Sequence, residues 1–201
     1  MSTIKRISEK LKRLPKGHPF ALETFKQCGS STSVRQAISR LAKRGELVRL
    51  TKGVYARPKP MRHLRNPVLP TPVSVATVIA KQNREELAPH GADLARKLGL
   101  STHVTMRSAF YTTGRTRMVP VGKGVIAFQH APKYLIKQQH TPEGQALLAL
   151  HHLGPRHVNG EVLGLVCDRI PCENFGRVNK DELPRWMRQA VKTLESTAHA
   201  G

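Results

Sequence analysis

The chain is short of acidic, aromatic and cysteine residues. Its 201 residues include 13 Asp and Glu, three Cys and 4% aromatic side chains. So few cysteines do not provide a disulfide framework, and they are more typical of a reducing cytoplasm. The low aromatic content argues against a stacking platform of the kind that reads single-stranded nucleic acids. It also predicts a core built mainly from Leu, Val, Ile and Ala.

Long apolar runs are also missing from the sequence. No run of about 18 apolar residues occurs, so no membrane-spanning helix is expected. The first residues lack the apolar segment of a signal peptide. Instead, Ile4, Ile7, Leu11 and Leu14 recur at helical spacing, which indicates the core face of a first helix rather than a transit peptide. The sequence therefore predicts a cytoplasmic protein.

Basic residues are plentiful and unevenly distributed. The 34 Lys and Arg give a formal net charge of +21. Residues 1–60 contain 15 of these cations against three acidic side chains, a net charge of +12 in under a third of the chain. Such a field attracts polyanions and supplies affinity that does not depend on sequence. Charge alone does not distinguish DNA from RNA, the ribosome or an anionic membrane surface.

Residues 20–58 show the order of elements typical of a winged helix-turn-helix. A short apolar segment ends at Gly29, which is expected to take a positive φ in the turn. The Ser and Thr residues at 30–33 supply N-caps for a helix with apolar residues at i, i+3, i+4 and i+7 from Val34. Gly45 is expected to end this helix. Strands at 47–50 and 54–56, joined through Lys52-Gly53, then form a hairpin of the size of a wing.

A recognition helix presents polar and basic side chains to the major groove, while its apolar face packs on the other helices. Arg side chains pair bidentately with guanine and Gln side chains with adenine, and hydroxyls at a helix N-terminus meet phosphates. The predicted DNA-binding residues are Ser31, Thr32, Ser33, Arg35, Gln36, Ser39, Arg40 and Lys43 on the helix and Arg49, Lys52 and Arg57 on the hairpin. The alternative for each is an ordinary solvated surface.

Five prolines between Arg57 and Val73 predict a stiff connector at residues 58–73. In this segment Arg62, His63 and Arg65 either follow the DNA as an extended arm or, the interpretation we favour, form a solvated linker. The predicted domains are therefore a winged helix-turn-helix at residues 1–57 and a mixed α/β domain at 74–201. The fold class is α+β.

The predicted second domain mixes helices with a group of strands. Helices are expected at 74–83, 91–98, 142–153 and 183–196, and strands at 108–112, 116–121 and 125–128. Basic residues lie around the predicted second hairpin: Arg107, Arg115, Arg117 and Lys123. They either extend the surface that contacts nucleic acid or prevent an exposed sheet edge from pairing with another chain.

Catalytic and metal-binding motifs have little support. No Gly-rich phosphate loop, nucleophile elbow or His-Glu-x-x-His sequence occurs, so neither an enzyme nor a cofactor is expected. Cys167 and Cys172, with His151, His152 and His157 upstream, do not have the spacing of a zinc site. We expect buried thiols and surface imidazoles there, and no metal.

Two segments resemble a known family. The sequence SVRQAISRLAKRGELVRLTKGVYARP resembles the N-terminal winged helix of the AbiEi family, the antitoxins and transcriptional repressors of type IV toxin–antitoxin systems. The sequence GADLARKLGLSTHVTMRSAFYTTGRTR resembles the start of that family's C-terminal domain. The likeness covers most of residues 15–130.

This resemblance implies a repressor that binds inverted repeats upstream of its own operon. It further implies a C-terminal domain that opposes a nucleotidyltransferase-like toxin without forming a stable complex. Three alternatives stay open at this point: an RNA- or ribosome-associated basic protein, a winged-helix regulator without a toxin, and an interaction module whose target is the toxin itself.

Overall fold

The computed structural model describes residues 2–62, 67–104 and 106–197. The mixture of helices and short strands confirms the expected α+β class. The α-helices are α1 Thr3–Arg13, α2 Ser31–Lys43, α3 Pro72–Gln82, α4 Gly91–Lys97, α5 Lys133–Lys137, α6 Pro142–Leu153, α7 Gly160–Cys167 and α8 Arg185–Thr197. The strands are β1 Pro19–Ala21, β2 Val48–Thr51, β3 Val54–Ala56, β4 Leu87–Pro89, β5 Ser108–Thr112, β6 Arg117–Val121 and β7 Gly124–His130. Two 3₁₀ helices cover Leu22–Cys28 and Cys172–Arg177.

The chain forms two compact units, and their limits differ from the expected domain boundary. The first unit contains Met1–Arg84 and Met118–Ile126, and the second contains Glu85–Arg117 and Ala127–Gly201. Helix α3 was expected to open the second domain at residue 74, yet it packs on β1 and β3 of the first unit. The reason is tertiary packing, because α3 buries an apolar face that includes Val75 and Ile79, and Gln82 near its end adds a hydrogen bond to the carboxylate of Glu23 at 2.8 Å.

The first unit has the element order of a winged helix. Its antiparallel sheet has the strand order β1-β3-β2. Tyr55 of the central strand β3 pairs with Phe20 of β1 on one side and with Arg49 of β2 on the other. The apolar faces of α1, α2 and the first 3₁₀ helix meet in one core, whose fully buried members include Ile7, Phe25 and Ile38. Each amphipathic helix thereby removes one apolar stripe from water.

Both ends of α2 are set by local sequence. The hydroxyl of Ser30 accepts a hydrogen bond from the amide of Ser33 at 3.2 Å, which makes Ser30 the N-cap. At the other end Gly45 takes φ 75°, and the amide of Glu46 donates to the carbonyl of Leu41 at 3.0 Å. This is the Schellman arrangement that terminates helices at glycine. The expectation for Gly45 is therefore confirmed.

Gly29 has a different role from the one expected. Its φ of 166° is extended backbone, which any residue can adopt, so a positive φ is not the reason for glycine here. Instead, a Cβ at this position would lie 2.7 Å from the side-chain oxygen of Thr3. Glycine is required because the start of α1 approaches the turn closely.

The proline-rich segment contains more order than a plain connector. The amide of Val68 donates to the carbonyl of Lys59 at 3.1 Å, so the two ends of this stretch pair as an isolated antiparallel bridge. Thr71 then caps α3, with Pro72 as its first residue. His63 and Arg65 lie outside the described residues.

The second unit is built around α6. Residues Ala146 to Leu150 of this helix are all fully buried, and α4 packs along it. The four-stranded sheet of the chain has the strand order β4-β5-β7-β6. Of its strands, β4 and β5 lie wholly in the second unit and pair antiparallel, with Ala88 opposite Tyr111. Phe175 and Met187 complete a core of mainly aliphatic side chains.

Cys167 and Cys172 form a disulfide, with Cα atoms 5.3 Å apart. The expectation of free thiols at these two positions is therefore wrong, because the end of α7 and the second 3₁₀ helix bring the two residues together. Cys28 is a buried free thiol. No helix in the described part of the chain is long and apolar enough to cross a membrane.

Candidate nucleic-acid interface

Helix α2 separates its side chains into two opposite faces. Val34, Ala37, Ile38 and Leu41 are buried in the core of the first unit. At about 100° per residue, the polar residues from Thr32 to Lys43 fall within an arc of about 140° on the other side. The exposed residues of this polar face are Thr32, Arg35, Gln36, Ser39, Arg40 and Lys43.

The polar face of α2 is free to bind an external partner. Within the described residues, none of its side chains takes part in a hydrogen bond or an ion pair. A cationic helix face of this length fits the major groove of B-form DNA. The structure thus brings together the predicted residues of the recognition helix, with one exception.

The exception is Ser33, at the N-terminus of α2. Its hydroxyl accepts from the hydroxyl of Ser30 at 2.9 Å, and its side chain is half-buried. Ser33 therefore belongs to the helix cap. Ser31 and Thr32 are exposed beside it. The amides of the first helical turn have no partner inside a helix and attract anions, so this end suits a phosphate.

The wing formed by β2 and β3 is braced rather than free. The carbonyl of Gly53 at its tip accepts from the amide of Leu22 at 2.8 Å and from the side-chain amide of Gln82 at 3.5 Å. Arg49 and Lys52 are exposed on this hairpin. Exposure is what they need in order to contact the DNA backbone as predicted. A fixed hairpin loses little conformational entropy when its cations meet phosphates.

Arg57 is placed differently from expectation. Its guanidinium donates to the carbonyl of Leu14 at 2.7 Å and to that of Lys12 at 3.4 Å, and the residue is half-buried. It therefore caps the C-terminal end of α1 with a positive charge, where a helix favours cations. Arg57 thus has a structural role, and its predicted contact with DNA stays a prediction.

The basic residues around the second hairpin divide into two kinds. Arg117 forms an ion pair with Glu85 at 2.6 Å and stacks over the ring of Phe128 with its guanidinium carbon 4.5 Å from the centroid. It is therefore engaged within the second unit. Arg107, Arg115 and Lys123 are exposed.

A comparison with known protein families places the chain in a family. The model of a family of unknown function, DUF6088, matches residues 6–166. The chain belongs to the DUF6088 family. No curated protein matches the sequence. Since the function of DUF6088 is unknown, membership assigns no activity.

This DUF6088 chain also contains a histidine–tyrosine cluster that the sequence did not reveal. The ring of His90 lies 4.7 Å from that of Tyr111 and 5.2 Å from that of His152, and Tyr111 lies 5.8 Å from His151. The Nδ1 atom of His90 accepts from the amide of Ala92 at 3.2 Å. These residues are far apart in sequence, so only the packing of α4, β5 and α6 assembles them.

Burial controls the protonation of this cluster. It raises the pKa of Tyr111 to about 12, against a smaller opposing effect of a hydrogen bond with Gly91. It lowers the pKa of His151 and of His152, and neighbouring imidazoles lower both further. Neutral rings are therefore favoured. In the described part of the chain, no group of three or more His, Cys, Asp or Glu is arranged to hold a metal ion.

Proposed function

We propose that this DUF6088 protein is a sequence-specific, double-stranded DNA-binding repressor that regulates its own operon. The observation that carries the proposal is the exposed, unpartnered polar face of α2. It belongs to a unit with winged-helix element order, and residues 1–60 have a net charge of +12. Non-specific affinity would come from phosphate contacts, and specificity from base contacts in the major groove.

The mechanism divides the exposed residues by chemistry. Arg35 and Arg40 pair with guanine edges and Gln36 with an adenine edge. Lys43, with Ser31 at the helix N-terminus, binds phosphates. Arg49 and Lys52 of the wing clamp the backbone beside the groove.

Two copies bound to an inverted repeat would occlude the promoter, since the symmetry of an operator mirrors that of a bound dimer. Repression then requires only reversible occupancy of the DNA. The protein is therefore proposed to be a cytoplasmic, non-enzymatic regulator without a cofactor.

The proposal extends to an antitoxin role. The resemblance to AbiEi proteins supports a second unit that opposes a nucleotidyltransferase-like toxin without a stable complex. A regulator without a toxin has the same DNA interface, so the two roles need separate assays: DNA binding for one, and rescue of growth from a co-expressed neighbouring gene for the other.

A competition experiment tests DNA recognition. The full chain is mixed with a labelled duplex from upstream of its own gene, and unlabelled upstream duplex, scrambled duplex and structured RNA compete at physiological salt. We expect only the upstream duplex to compete effectively. Equal competition by every polyanion would contradict sequence-specific recognition, and stronger competition by RNA would favour an RNA-binding protein.

The double variant Arg35→Ala/Arg40→Ala tests the α2 surface. Each bidentate guanine contact contributes about 1–3 kcal/mol of discrimination, so specific binding should weaken by about 2–6 kcal/mol. The matched control is Arg185→Ala/Arg188→Ala, which removes the same charge from exposed positions of α8. Equal losses in both variants would show that charge, rather than the recognition helix, determines binding.

A further inference from the structure

The outer strand of the winged-helix sheet contains a bulge at Leu50. Arg49 pairs with Tyr55 and Thr51 pairs with Val54, so Leu50 is the extra residue in the ladder. A bulge leaves the extra residue unpaired and interrupts the ladder at that point. The carbonyl of Leu50 is therefore available to another segment of the first unit.

That segment is the turn between β6 and β7, Val121–Gly124. The amide of Gly122 donates to the carbonyl of Leu50 at 3.0 Å. Gly122 has a φ of 57°, a backbone conformation that residues other than glycine rarely adopt. Both partners belong to the first compact unit, so this turn is attached to the edge of the wing.

The attachment places a lysine beside the wing. Lys123 directly follows Gly122 and is exposed, while Arg49 directly precedes Leu50 and Lys52 follows it by two residues. A Cβ added to Gly122 would meet no atom within 4 Å. The apex of the turn is therefore open enough for a phosphate to approach both the backbone and the Lys123 ammonium group.

We propose that the Val121–Gly124 turn is a second wing, in which Lys123 binds a backbone phosphate of the same DNA as Arg49 and Lys52. This inference rests on the proposed DNA-binding function and extends its footprint. It also separates the basic residues of the second hairpin by role. Arg117 stabilises the second unit through Glu85, and Lys123 contacts the nucleic acid.

Lys123→Ala tests the second wing through the salt dependence of binding. The logarithm of the association constant falls with the logarithm of salt concentration by about 0.9 for each phosphate neutralised. We therefore expect Lys123→Ala to reduce this slope by about 0.9, and to weaken upstream and scrambled duplexes by the same factor. Lys123→Arg should keep the wild-type slope.

The matched control is Lys192→Ala, which removes one exposed lysine from α8. If wild-type protein binds the upstream duplex and Lys123→Ala has the same slope as wild type, the second wing is overturned while the DNA-binding function stands. The same holds if Lys192→Ala reduces the slope as much as Lys123→Ala. If wild-type protein fails to select the upstream duplex, the proposed function itself fails.

Discussion

The two compact units use their charged and polar side chains in different ways. In the described part of the first unit, one ion pair joins Arg44 and Glu46 on an exposed surface. The second unit has ion pairs between Arg117 and Glu85, Lys133 and Glu86, and Lys180 and Glu195. The first unit therefore leaves most of its cations available to an external anion, whereas the second engages several of its cations internally.

The net charge also differs between the two units. Counted over the compact units themselves, the first has 20 Lys and Arg against three Asp and Glu, a net charge of +17, and the second has 14 against 10, a net charge of +4. Exposed surface pairs add little stability, but unpaired cations on one rigid scaffold add up when a polyanion binds. What separates the units is their share of carboxylates, three in the first and 10 in the second, where more of the described cations form ion pairs.

The largest effect expected from this difference is on the salt dependence of DNA binding. If the wing and α2 together contact about six phosphates, raising salt from about 50 to about 200 mM should weaken binding by on the order of 10³-fold or more. Fluorescence anisotropy with a labelled upstream duplex measures this directly.

A nearly flat salt dependence would contradict the proposed role of the first unit, because it would mean that its free cations do not contact phosphates. The Arg185→Ala/Arg188→Ala variant of α8 provides the control. Its slope should match that of the wild type.

The next effect concerns the two faces of α2. Ile38→Ala should lower the free energy of unfolding by about 2–5 kcal/mol, since Ile38 is fully buried and its removal leaves a cavity. Ser39→Ala, at the adjacent exposed position, should change it by less than about 0.5 kcal/mol. Urea unfolding followed by circular dichroism compares the two variants, and similar losses would show that α2 is not packed as described.

The smallest effect concerns the histidines of the second unit. The folded-state pKa values of His151 and His152 lie below their ordinary value of 6.5, so the unfolded chain binds more protons near and below that pH. The stability that the neutral rings contribute is present above pH 6.5 and is lost as pH falls through the folded-state pKa values. His90, His130 and Tyr111 are the titratable groups near them.

Thermal unfolding between pH 7.5 and pH 5 measures this dependence. The double variant His151→Gln/His152→Gln should show a weaker loss of stability on acidification than the wild type. An identical loss in both proteins would place the titrating groups elsewhere.

The local elements of the first unit could be predicted because their signals are local. Helix α2 has an apolar repeat, a serine cap and a terminal glycine within its own sequence, and the wing has alternating residues around Lys52-Gly53. Strands β1 and β4 were missed because each has three residues and pairs with a strand distant in sequence, whereas the equally short β3 is marked by the hairpin turn that joins it to β2. Helices α5 and α7 are likewise short.

The single-residue contacts that the sequence did not predict have a common physical cause. The capping of α1 by Arg57 could not be predicted, because Leu14 lies 43 residues earlier in the chain and only the fold brings the guanidinium to its carbonyl. Cys167 and Cys172 are paired by the approach of two helices, which spacing alone does not specify. Exposed polar positions on a regular helix are predictable, whereas residues that contact distant parts of the chain are not.

The packing of α3 on β1 and β3 has a consequence for anyone who wishes to transplant the winged helix into another protein. A fragment cut at residue 57 would leave out Gln82, which donates to the tip carbonyl at Gly53 and to Glu23. A fragment cut at residue 84 would retain that brace but leave out Gly122, the donor to the carbonyl of Leu50. A fragment that keeps both contacts is therefore discontinuous in sequence, because it must contain the first 84 residues and also the turn at residues 121–124.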